Sequence, residues 1–449
     1  MMSTLIDILS QPAILVALIA LIGLIAQKKS AADTVKGTTK TFVGFLVISA
    51  GAGILGTALT PFGEMFQAAF NVSGVVPNNE AIVGLALTEF GTTTALIMFF
   101  GMVVNILIAR FTRFKYIFLT GHHTLYMACM LAVIMAVAGF DTVPQIIAGA
   151  VALGIIMTLS PAILQPFMRQ LTGNDNVALG HFSAVGYAIS ALVGKLFKGS
   201  KSNSTENINF PKGLGFLRDS TVSIALTMVV MYVVVALFAG PTYIESELSS
   251  GTNYIVFSLI QAGSFAAGVF IILQGVRLVL AEIVPAFKGI STKLVPNAKP
   301  ALDVPIIYPY APNAVLIGFF SSFIGGIVSM VILAFTGGVI ILPGVVPHFF
   351  TGAAAGVFGN ATGGIKGAVA GSFVNGLIIS FLPVFLMPVL GDLGFANSTF
   401  SDADFGVSGI FFGALANYGG TIAIVISLIV ILLLMAIPFK NKKVNQEAK

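Results

Sequence analysis

Four histidines and a few carboxylates are the groups in this 449-residue chain best suited to hold a polar solute. His122 and His123 stand side by side in LTGHHTLYM, just ahead of an apolar run at 125–140. One of these imidazoles could hydrogen-bond a polyol, or both could sit at an interface without a ligand. His181 lies in ALGHFSAVGYAIS, a Gly-rich stretch too short for an ordinary span, which suggests a re-entrant hairpin. Non-helical backbone at membrane depth is tolerated only where protein buries it or it lines a cavity, so a histidine there is a candidate contact. Asp303 lies in KPALDVPIIYPYAPNAVLIGFF, where Pro296, Pro300, Pro305, Pro309 and Pro312 exclude a regular helix. An unwound segment leading into a long apolar run is where midplane sites are built. Glu80 and Glu89 precede the run 93–109 and read first as helix-start residues. Arg277 and Glu282 are read as structural: they could pair with each other or, since a spacing of five is off the i,i+4 optimum, with partners on another helix.

Other chemistries lack their residues. There is no GxxxxGK[ST] loop and no HExxH, and the histidines are not at metal-ligand spacing, so no metal or cofactor is expected. A single cysteine, Cys129, excludes disulfide frameworks and reads as a buried thiol inside ACMLAVIM. No catalytic residue of the chain's own is expected.

The elements that must position these residues are membrane helices. The chain is 57% apolar and only 9% charged, with a mean hydropathy of +1.01. A soluble domain carries about 25% charged residues, so the expected fold class is an all-α polytopic membrane protein. The excess of 22 Lys+Arg over 17 Asp+Glu reads as cytoplasmic loop charge, with no basic stripe for nucleic acid. Lys28 and Lys29 follow the first apolar run, which is read as a retained span with the N-terminus outside. The stretch 195–218 carries Lys195, Lys198, Lys201, Lys212 and Arg218 and reads as a cytoplasmic linker. Lys440, Lys442 and Lys443 place the C-terminus inside. Opposite termini require an odd number of crossings, and the apolar runs suggest eleven; the Gly-rich segment 41–59 is expected to be a broken or tilted one.

The chain repeats itself. Residues 148–166 (AGAVALGIIMTLSPAILQP) and 370–388 (AGSFVNGLIISFLPVFLMP) are identical at seven of 19 positions, two glycines and two prolines among them. Halves of five spans each would be inverted relative to one another, the mark of secondary-type transporters. An ion-coupled transporter of a small polar solute on such a scaffold would use Glu80, Glu89 or Asp303 as its ion site.

The blocks KGTTKTFVGFLVISAGAGIL (36–55), LTGHH (119–123), GHFSAVGYAI (180–189), LQGVRLVLAEIVPAFKGISTKLVPNA (273–298), IIYPYAPNAVLIGF (306–319) and ILPGVVPHFF (341–350) resemble the ascorbate-type membrane component, enzyme IIC, of the bacterial phosphoenolpyruvate-dependent sugar phosphotransferase system. The resemblance runs in order along nearly the whole chain. It implies a homodimer in the lipid of the bacterial inner membrane, with eleven spans in two inverted halves, re-entrant hairpins and a last helix. A scaffold would comprise 1–75 and 221–299, and a moving core 76–194 and 300–417. Residues 195–220 would be the linker, and 418–449 the last helix and tail. The core would carry L-ascorbate or a related sugar or polyol across by an elevator movement. A cytoplasmic IIB protein, charged by IIA, would then phosphorylate it. This chain ends soon after its last span, so IIB is expected to be a separate polypeptide.

His122, His181 and Asp303 fall on positions that bind substrate in the family. Three further pocket positions depart from the family pattern: Glu80 replaces a tyrosine, and Tyr126 and Phe182 replace glutamines. Two amides are lost and a carboxylate gained, which changes the hydrogen bonds the pocket can offer.

Overall fold

A backbone in hydrocarbon must satisfy its polar groups within itself, and the apolar runs accordingly form helices. The computed structural model describes residues 11–70, 74–197, 203–208, 220–336, 339–395 and 398–437. The basic part of the linker (Lys198, Lys201, Lys212, Arg218) and the tail lysines lie outside the described residues, as do the side chains of Arg277 and Glu282.

The chain opens with α1 (Pro12–Ala26) and α2 (Ala31–Phe70). Contrary to the expectation of a break at 41–59, α2 runs as one helix of 40 residues through its glycines and Pro61. Then come β1 (Gly74–Pro77), α3 (Asn79–Phe111), β2 (Tyr116–Phe118), α4 (Gly121–Val137), α5 (Thr142–Thr172), β3 (Ala178–Leu179) and α6 (Ala184–Lys195). After the linker, α7 (Ser220–Ala239) and α8 (Tyr254–Leu294) lead into β4 (Lys299–Leu302). The chain continues with α9 (Pro312–Thr336), β5 (Ile340–Ile341), α10 (Val345–Leu386), β6 (Ser398–Thr399) and α11 (Ala403–Ala436). Glu80 is in the first turn of α3, as expected, but Glu89 sits well inside that helix and is exposed.

Among the described residues, five helices are long and apolar enough to cross a membrane, or six if Met228–Ala239 and Pro241–Leu248, bent by 100°, form one broken span. That makes the chain a polytopic helical membrane protein. The count of spans is below eleven. The helices α1, α4 and α6, at 15, 17 and 12 residues, are below the roughly 17–25 that 30 Å of hydrocarbon needs, or at its margin. The helices α2 and α8, though 40 and 41 residues long, are not among the counted spans.

The helix α10 is a hairpin. Gly364 takes φ 63° and ψ −152°, and a Cβ on Gly359 would lie 2.3 Å from the carbonyl oxygen of Gly367. Eight residues of straight helix span about 12 Å, so this contact requires the arms to fold back on each other. In the first half α4 and α5 form the corresponding pair, turning near Gly139 at φ 85°. The only residue without a Cβ penalty at such angles is glycine.

The two halves follow one succession: strand, long helix, strand, helical pair, strand, helix. They also exchange strands. The first half's β1 runs parallel between the second half's β5 and β6; the second half's β4 runs parallel between β2 and β3 of the first. Strands of two to four residues cannot stand alone; here each takes its ladder partners from the other half.

The repeated glycines are sites of close helix approach, the use small residues have in membranes. A Cβ on Gly149 would meet Ile97 and one on Gly154 would meet Val104, both on α3; on α10, Gly371 lies against Ser190 and Gly376 against the Ser322 carbonyl. A further apolar cluster gathers Phe62, Met65, Met228, Tyr232, Phe257 and Phe265 of α2, α7 and α8, and continues onto Phe319 and Phe323 of α9 and Phe349 of α10.

Asn105 of α3 is a buried hydrogen-bond hub. Its amide donates to Thr158 Oγ1 (2.8 Å) and the Tyr116 carbonyl (3.1 Å), and its Oδ1 accepts from Phe118 N (3.1 Å). Asn105→Leu leaves the buried Phe118 N–H without its acceptor, at a cost of about 1–3 kcal/mol. It also removes a donor from the Tyr116 carbonyl and from Thr158, whose hydroxyl keeps its bond to the Gly154 carbonyl. The expected result is a clearly lowered melting temperature in detergent; an unchanged one would refute the hub.

Candidate functional site

The polar residues gather where strands end and helices begin. Asn79 follows β1, His122 and His123 follow β2, and His181 follows β3. Asp303 follows β4 and Asp402 follows β6. In parallel α/β sheets the carboxyl ends of strands are where ligands bind, because the chain turns there and helix N-termini point inward. The exchanged sheets bring these ends together from both halves.

Local packing fixes the turns. Thr120 Oγ1 donates to the Gly180 carbonyl, tying the start of α4 to the end of β3. Gly180 packs against β4, where a Cβ would come within 2.6 Å of the Ala301 carbonyl oxygen. Proline-interrupted 304–310 forms two short 3-10 turns, not a helix, and Asp303 Oδ1 accepts from Val304 N at 2.8 Å. Outside the spans, Lys299 at the start of β4 pairs with Asp175. Burial alone would raise the Asp175 carboxyl, but hydrogen bonds from Lys299 and Gln165 and the charges of Lys299 and Arg169 outweigh it and hold it below the usual carboxylate range.

Two histidine–carboxylate pairs result, each joining one half to the other. His122 Nε2 lies 3.7 Å from Asp303 Oδ2, and His123 Nδ1 lies 3.8 Å from Asp402 Oδ2. Both distances exceed a hydrogen bond. The His123 and His181 rings approach to 3.9 Å between centroids. His181 Nδ1 shares a 2.9 Å hydrogen bond with Tyr187 Oη. Asp402 accepts from Asn79 Nδ2 (3.3 Å) and Ser401 Oγ (3.1 Å). His123, His181, Asp303 and Asp402 are all buried, whereas the His122 side chain keeps 17% of its exposure and marks the open side.

Of the six positions expected from sequence, His122, His181 and Asp303 come together around this cluster. Tyr126 is buried beside it, its ring 5.8 Å from that of His122. Phe182 is fully buried, stacked on Phe118 at 4.5 Å and edge-on to His123, so it backs the cluster with apolar surface. The side chain of Glu80 lies outside the described residues, though its neighbour Asn79 touches Asp402.

Asn79, Tyr187 and Asp402 escaped the sequence reading. The signal for Asp402 was there in SDAD (401–404), two carboxylates ahead of the last apolar run, since ionisable groups in apolar sequence are usually functional or paired. Only the fold separates the two. Asp404 accepts from Ser160 Oγ (2.7 Å) and Val185 N (2.9 Å), capping α6, while Ser183 Oγ accepts from Ala403 N at the start of α11. Asp404 is thus a structural cap, and Asp402 faces the cluster.

Comparison with known proteins agrees with this architecture. The family model described as "PTS system sugar-specific permease component" (EIIC-GAT) matches residues 7–404. The chain is 28% identical to the "Ascorbate-specific PTS system EIIC component" of Mycoplasma pneumoniae, in an alignment covering 79% of this chain. It spans 62% of that relative's length. A family match running from residue 7 to residue 404 makes this chain a member of the sugar-specific permease (EIIC) family of the phosphotransferase system.

Proposed function

We propose that the chain is the translocating subunit for L-ascorbate or a related sugar or polyol, which a separate IIB protein phosphorylates as it arrives. The observation that carries this reading is the convergence of His122, His181 and Asp303, from both halves, on one largely buried polar cluster. Imidazoles and carboxylates donate to and accept from hydroxyl groups, and an apolar surround strengthens each bond. Glu80, where the family pattern has a tyrosine, would repel an anion such as ascorbate unless neutralised, which brings a neutral sugar or polyol into the proposal.

An elevator movement suits the architecture. The exchanged sheets tie 76–194 and 300–417 into one core, and α2, α7 and α8 would serve as a scaffold that meets it at Phe319, Phe323 and Phe349. The common succession of elements and the repeat of 148–166 in 370–388 support inverted halves, and eleven crossings would leave the N-terminus outside and the C-terminus cytoplasmic. Exposed apolar residues on α7, Val230, Val234 and Phe238 among them, suit lipid or a second protomer in the inner membrane. IIB, charged by IIA, would trap the product, because a phosphate ester is charged and cannot recross the bilayer.

The test is uptake of labelled ascorbate and of neutral polyols by vesicles containing the chain. Accumulation is expected only with phosphoenolpyruvate and the soluble phosphocarriers inside, and only as the phosphorylated product. Accumulation of unmodified solute driven by a proton or sodium gradient would establish the ion-coupled mechanism instead.

A further inference from the structure

The deepest part of the cluster has the composition and spacing of a metal centre. His123, His181 and Asp402 each present one ligand atom, and the three atoms lie within 4.8 Å of one another, all on buried residues. We propose that they form a site for a transition-metal dication of the zinc type.

Nitrogen and oxygen donors sit about 2.0–2.2 Å from zinc, so two donors on one ion stand roughly 3–4 Å apart. The 3.8 Å between His123 Nδ1 and Asp402 Oδ2 is such a separation; it is too long for a direct hydrogen bond. His123 Nδ1 is buried and has no hydrogen-bond partner in the protein. Buried polar atoms are nearly always satisfied, and an ion at this position satisfies it.

The surrounding bonds orient the ligands as metal sites require. Tyr187 Oη occupies His181 Nδ1, which leaves Nε2 as the nitrogen available to a metal. Asn79 and Ser401 hold the Asp402 carboxylate. Phe405, parallel to the His123 ring, and Phe182, edge-on to it, keep that imidazole in place. A second trio, His122, His123 and Asp303, meets the same distance condition. It is more open at His122, whose side chain keeps 17% of its exposure, so the deeper trio is the better-enclosed centre. Two imidazoles and a carboxylate leave a fourth tetrahedral position open. A bound ion would also take His181 Nε2 from the sugar, making metal and sugar competitors for that nitrogen.

The experiment needs no sugar, so its outcome is independent of the transport reading. The full-length chain, purified in detergent and stripped with EDTA, is titrated with Co2+ and followed by visible absorption, with Zn2+ as competitor. The expected result is one ion per chain, a band displaced by Zn2+, and loss of that band in Asp402→Asn and His123→Ala. Tyr187→Phe should weaken binding roughly 10–100-fold, as removal of an orienting partner does, and His122→Ala should keep the band. Asp402→Asn preserves side-chain shape and guards against a folding defect in the alanine variant. Absence of a Co2+ band in the folded wild-type chain, or a band indifferent to Asp402→Asn, would overturn the proposal.

Discussion

Asp303→Ala and His181→Ala are each expected to weaken sugar binding by roughly 100-fold or more while the protein still elutes as a folded species. A hydrogen bond to a charged or ionisable group contributes about 1.5–3 kcal/mol, and each 1.4 kcal/mol is a tenfold change in affinity. Removing one partner here costs more than its own bond, because the pair is a cross-half contact. Without Asp303, the imidazole of His122 faces an empty position 3.7 Å away. Without His181, the Tyr187 hydroxyl loses its partner and His123 loses the tilted ring whose centroid lies 3.9 Å from its own. His122→Ala should behave like Asp303→Ala, since the two form one pair. Titration calorimetry with ascorbate and with neutral polyols reads the effect. Wild-type affinity in both Asp303→Ala and His181→Ala would mean the sugar binds elsewhere.

Gly376→Leu is expected to prevent accumulation of folded protein. A Cβ at this position would stand 2.0 Å from the carbonyl oxygen of Ser322, and the α-carbon of Ser322 lies 3.0 Å away. The obstacle is backbone of a neighbouring helix, which cannot rotate aside as a side chain can. Overpacking of this kind costs about 1–3 kcal/mol where side chains yield, and the cost here falls at the upper end or beyond. The natural control is Gly53→Ala in α2, where nothing lies within 4 Å. Replacing a helical glycine there should be neutral or stabilise by up to about 1 kcal/mol. Size-exclusion profiles and melting curves in detergent compare the two. A Gly376→Leu protein that melts with wild type would show that α9 and α10 are not held at this contact.

Much of this was legible from one dimension. Hydropathy determined the helical membrane class, because long continuous apolar runs in a bilayer satisfy their polar backbone groups within a helix. The prolines around Asp303 determined that its segment is unwound. The glycines shared by 148–166 and 370–388 marked the internal repeat; that they are also sites of close helix approach came from the structure.

What only the tertiary structure decided is which histidine meets which carboxylate. The strands that arrange them are two to four residues long, too short to show an alternating pattern. Their partners lie in the opposite half of the chain. Asp402 and Asp404 read alike in sequence, yet one caps a helix and the other faces His123, a difference made by the two helix N-termini that meet there. Local composition sets what each segment becomes; contacts between residues hundreds of positions apart set where its polar atoms point.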